Sequence, residues 1–104
     1  MHSNTLGMHV VAAKTLVRGG ETFFVLLGHP YLSSYPLLNG KPATIWLPCA
    51  SLQTRRQMAE LALVEPGDLL KMEVVGSMDE SGYLEVLETH SVSVKNKNTD
   101  IPRR

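Results

Sequence analysis

The segment from Ala43 to Val94 constrains this chain most, because its hydrophobic pattern passes from strand-like to helical and back in a fixed order. A short apolar run, Thr44-Ile45-Trp46-Leu47, ends at Pro48 and leads into helical spacing from Ser51 to Leu63. Pro66-Gly67-Asp68 then makes a turn. Two alternating runs follow, Leu69 to Val75 and Tyr83 to Val94, separated by the polar Met78-Asp79-Glu80-Ser81-Gly82. Period-2 alternation marks strands and 3.6-residue spacing marks helices, so this half reads strand, helix, turn, hairpin. At 104 residues the chain is one domain, and few small folds accommodate that order.

The side chains give each element detail. Ser51 is the expected N-cap of the helix, its hydroxyl accepting an orphaned backbone N–H. Leu52, Met58, Leu61 and Ala62 then share an inner face, with Gln53, Arg55, Arg56 and Glu60 in solvent. In the fourth strand Leu70, Met72 and Val74 alternate with Lys71, Glu73 and Val75. In the fifth, Leu84, Val86, Val92 and Val94 share one parity, which Leu87-Glu88 interrupts. A bulge near Leu87 would reconcile the two halves and curve the strand.

The first half supplies two more strands. Leu6 to Val17 carries the doubly apolar Val10-Val11-Ala12-Ala13, which suits a long central strand. Arg18-Gly19-Gly20-Glu21 offers glycines for a tight hairpin turn, and Thr22 to Leu27 returns. From Gly28 to Pro42 three prolines predict a long irregular loop, with Asn39-Gly40 as an alternative hairpin tip. The expected fold is therefore mainly β: a five-stranded Greek-key barrel of the OB type, with one short helix between strands 3 and 4. It would occupy residues 1–94, leaving 95–104 as a flexible basic tail.

Composition removes several function classes. Ten Lys/Arg balance ten Asp/Glu, so no global positive charge advertises a nucleic-acid partner, although a local basic face is compatible with that balance. Cys49 is the only cysteine, which excludes an intramolecular disulfide scaffold. No apolar run approaches the roughly 20 residues of a membrane span. The first residues lack the basic-then-apolar layout of a secretory signal. The expectation is a cytoplasmic protein. His2, His9, His29 and His90 are scattered, without metal-ligand spacing, and no base accompanies Cys49, so neither a metal, a cofactor nor an enzyme activity is expected.

What remains are residues suited to stacking. Alternation places Ile45 and Leu47 on one face and Trp46 on the other, where an indole can stack on a base. Phe23 shares parity with Val25 and Leu27, the more core-like set, which leaves Phe24 as the ligand-facing aromatic. Tyr31, Tyr35 and Lys41 lie in the expected loop.

The strand containing Trp46, the helix after it, Glu65-Pro66-Gly67-Asp68 opening strand 4, Met72-Glu73-Val74-Val75-Gly76, and the return Gly82-Tyr83-Leu84-Glu85-Val86 together resemble the bacterial single-stranded-DNA-binding protein family and its relative, primosomal replication protein N. The resemblance runs from Thr5 to Val94. It departs from the family where two valines separate Glu73 from Gly76, where Asn4-Thr5-Leu6-Gly7-Met8 only partly matches the usual opening, and where the acidic Gly-rich tail is missing. The resemblance implies a binding face that Lys14, Arg18, Lys41 and Lys71 would flank. It also implies single-stranded DNA as partner, in replication, recombination, repair or mobile-element maintenance. Homodimers or homotetramers are expected, with replication or recombination proteins as further partners. The alternative is the same barrel used as a protein-interaction module.

Overall fold

A computed structural model of the chain describes residues 3–35 and 41–95. Five strands and one short helix alternate in the expected order: β1 (Asn4–Arg18), β2 (Glu21–Ser33), β3 (Ala43–Pro48), α1 (Arg55–Ala62), β4 (Leu69–Met78) and β5 (Tyr83–Lys95). The strands close into a barrel in the order β1-β2-β3-β5-β4. That is the five-stranded Greek-key arrangement expected of an OB-fold. β1 pairs with β2 along its length and with β4 through Asn4–His9, so one strand serves both sides of the cylinder. The barrel closes where β3 runs parallel to β5, and only Thr44, Ile45 and Trp46 pair there, with Tyr83, Leu84 and Glu85.

Alternation decides what fills the barrel. Leu6, Met8, Val10, Leu26, Ile45, Leu47, Leu70, Met72, Val74, Leu84 and Val86 point inward and are almost wholly inaccessible. Leu61 and Val64, at and just beyond the end of α1, join that cluster and cover it from one side. Burying each such side chain contributes about 1.5–3 kcal/mol, which is what fixes the register.

The β1–β2 hairpin turns as expected at Gly19 and Gly20, with φ of 59° and 81°. Both central residues of this turn need positive φ, which glycine adopts without steric cost.

Three local expectations need correction. β2 continues through His29-Pro30-Tyr31-Leu32-Ser33 instead of breaking into a loop at Gly28. Beyond Gly28 this strand pairs with β1 alone, and an edge position tolerates proline. The helix begins later, because Thr54 is its N-cap: Thr54 Oγ1 accepts from the Gln57 backbone N–H at 3.1 Å, and Gln57 Oε1 accepts in return from the Thr54 N–H at 3.3 Å. Ser51 instead lies buried in a short 3-10 turn, its hydroxyl donating to the Pro48 carbonyl and bonded to Thr89 Oγ1. Met58 and Ala62, expected on the inner face of α1, are exposed.

The bulge at Leu87 is present, and a second follows at His90. Each bulge inverts the side-chain parity of the strand. Leu84 and Val86 before the pair, and Val92 and Val94 after it, therefore all lean inward, while between the bulges Thr89 becomes the inward residue. Asn39-Gly40 lies outside the described residues. So does the tail from residue 96, whereas Lys95 belongs to β5.

Candidate nucleic-acid interface

The register lays one row of outward residues across the barrel wall: Lys14 on β1, Val25 on β2, Trp46 on β3, Glu85 on β5 and Ser77 on β4. The neighbouring row carries Leu16, Phe23 and Pro48, and beyond it Arg18 faces Glu21 at the hairpin turn. Tyr83 stands next to Thr44 at the start of β5. Of these, Arg18, Glu21, Phe23, Trp46, Pro48, Tyr83 and Glu85 line an open groove of about 660 Å³, completed by Asp79, Val86 and Leu87.

Trp46 is held from two sides. The Phe23 ring meets it edge-on, centroids 5.6 Å apart at 79°, an arrangement favoured by the aromatic quadrupole. The Arg18 guanidinium sits 5.6 Å from the indole centroid, a cation–π contact worth about 0.5–1 kcal/mol at an exposed site. Tyr83, 47% exposed, and Leu87, 63% exposed, extend the apolar wall along β5.

The charge in the groove is less basic than a phosphate site would require. Arg18 is its one cation among the described residues, against Glu21, Asp79 and Glu85. Asp79 Oδ1 is committed to the β4–β5 turn, accepting from the Ser81 and Tyr83 N–H groups at 2.8 and 3.1 Å. Lys14 adds a second cation on the same face, at the far end of the Trp46 row.

Trp46 and Arg18 meet in the groove, whereas Lys14 stands outside its lining, two strands from Trp46 in the same outward row. Phe24 is not with them: it is 6% exposed inside the barrel, and Phe23 takes the outer position assigned to it. Phe23, Val25 and Leu27 are the more apolar parity, yet they take the outer wall, where Val25 is covered beside Trp46, so composition pointed to the wrong face. Tyr31 and Lys71 belong to a different surface, where β1 lies between β2 and β4. There the Tyr31 ring covers Gly7, leaving no room for a Cβ, and meets His9 edge-on at 5.3 Å. Lys71 pairs with Gly7 from the β4 side. Tyr35 packs on the core, contrary to a ligand-facing role, with its hydroxyl buried. Lys41 is exposed just ahead of β3, at the Gly28 end of that strand.

Sequence reasoning missed Phe23, Tyr83 and Glu85. The signal for the last two was available: once Leu84 and Val86 are core, Tyr83 and Glu85 must face outward beside the strand that carries Trp46.

Burial pushes the Cys49 thiol above its ordinary range, the opposite of what a nucleophile needs. Among the described residues no group of three or more His, Cys, Asp or Glu side chains is placed to hold a metal ion, and no helix is long and apolar enough to cross a membrane. The fold and groove define a class, a closed five-stranded barrel with an aromatic outer groove. No family model, curated protein or solved structure matches the chain.

Proposed function

We propose that this barrel binds single-stranded DNA without catalysing a reaction, in replication, recombination, repair or the maintenance of a mobile element. One observation carries the reading: Phe23, Trp46 and Tyr83, from three different strands, share one open groove with Arg18. Flat rings on an accessible wall stack with unpaired bases for about 1–3 kcal/mol each, and an adjacent guanidinium serves base or phosphate. Pairing of two barrels belongs to the same proposal. The apolar Val11 and Val17, 49% and 68% exposed on β1, support it.

A second reading, a protein-interaction module, is favoured by the excess of carboxylates over cations in the groove. A mixed-sequence oligonucleotide of about 15 nucleotides separates the two, because one OB barrel engages roughly 4–16. Trp46 emission should be quenched on titration, and Trp46→Ala should weaken binding of a labelled strand about tenfold with an unchanged circular dichroism spectrum. No response at about 20 mM salt, where phosphate contacts are strongest, would favour the interaction module.

A further inference from the structure

The groove carries three carboxylates, Glu21, Asp79 and Glu85, against one cation among the described residues. Glu85 is the parallel-register neighbour of Trp46, so the two backbones lie about one strand spacing, roughly 4.8 Å, apart, and both side chains line the same groove. It is exposed and forms neither an ion pair nor a hydrogen bond among the described residues. Arg18, the one cation in the groove among the described residues, lies over the Trp46 ring. A flat ring seated on Trp46 therefore has an unsatisfied acceptor at its edge.

We infer that the groove prefers guanine among unpaired bases, with Glu85 as the residue that reads it; this rests on the nucleic-acid reading above. An ionised carboxylate only accepts hydrogen bonds and has two oxygens to do so. Guanine is the one standard base with two adjacent donors on its Watson–Crick edge, N1–H and N2–H₂, matching those oxygens in a bidentate pair. Cytosine and adenine offer one amino donor beside a ring nitrogen that carries a lone pair. Thymine offers a single N–H between two carbonyl oxygens, which repel a carboxylate. Unpaired strands leave these edges free to be read. Bidentate recognition of the guanine edge should give a preference of about tenfold.

The test uses a labelled thymidine 15-mer and versions with dG, dA, dC or deoxyinosine at the central position, titrated by fluorescence anisotropy. The dG strand should bind about tenfold more tightly than the all-thymidine strand. Deoxyinosine, which lacks the N2 amino group, should lose most of that advantage. Glu85→Gln should bring the dG-to-dT ratio close to one while the thymidine strand binds at least as well, since a carboxylate has been removed from beside its phosphates. Equal binding of all strands, or a ratio unchanged in Glu85→Gln, overturns the inference and leaves single-strand binding intact. Failure of every strand to bind overturns both. An arginine-rich peptide that bound in their place would show the groove reading a guanidinium, the other flat group with paired donors.

Discussion

Phe24 is 6% exposed inside the barrel, while Phe23, one position earlier, meets Trp46 on the outer wall. Truncation should separate these roles. Phe24→Ala leaves a cavity in a packed core and should cost about 3–5 kcal/mol, read as a lower urea midpoint. Phe23→Ala should cost about 1 kcal/mol, yet weaken oligonucleotide binding severalfold because Trp46 loses its lateral support. Tyr35 makes a different point. Burial raises its phenol above the ordinary value; the Asn4 side chain opposes this, from a position short of a well-formed hydrogen bond. Folding thus favours the neutral phenol. That contribution is complete below the unfolded value of about 10 and is lost as pH rises through the higher folded value. Urea midpoints measured from about pH 8 to about pH 11 should fall more steeply for the native chain than for Tyr35→Phe. At neutral pH this substitution should be close to silent, since the hydroxyl has no hydrogen-bond partner among the described residues.

The helix and the last strand mark how far local pattern reaches. Thr54 and Gln57 form a reciprocal capping box, and Thr54→Ala should lower stability by about 1 kcal/mol, shifting the urea midpoint without changing the slope. The Thr-x-x-Gln spacing was present in the sequence, but Ser51 offered an equally good hydroxyl nearer the preceding strand. Only tertiary packing against Thr89 decides between them, by drawing Ser51 inward. In β5 the break in phase at Leu87 was visible and its bulge followed. The second bulge, at His90, was implied by the same numbers: equal parity at both ends of a strand requires two inversions or none. β2 ran past its expected end because proline is excluded from central strands and tolerated at edges, and edge status is a property of the assembled sheet. For the site, alternation along β3 correctly turned Trp46 outward. Which strands then stand beside it depends on closure, and that brought Tyr83 and Glu85 to the groove and left Tyr31 and Lys71 on another wall.

Across the molecule, Lys/Arg and Asp/Glu cancel, ten against ten, and the groove face itself holds Lys14 and Arg18 against Glu21, Asp79 and Glu85. Single-strand binding loses about 0.7 in the logarithmic salt slope per phosphate neutralised. With two cations available the slope should be shallow, about −1.4, measured as log affinity against log salt concentration. A slope of about −4 or steeper would mean that the strand follows a different, basic wall. The groove also straddles the place where the cylinder is joined. The parallel ladder between Thr44–Trp46 and Tyr83–Glu85 has the fewest pairs of any in the barrel, and Trp46 and Glu85 stand on its opposite lips. A guest resting on both would act as a rivet through the weakest joint of the wall, so that occupancy and the integrity of the barrel reinforce each other.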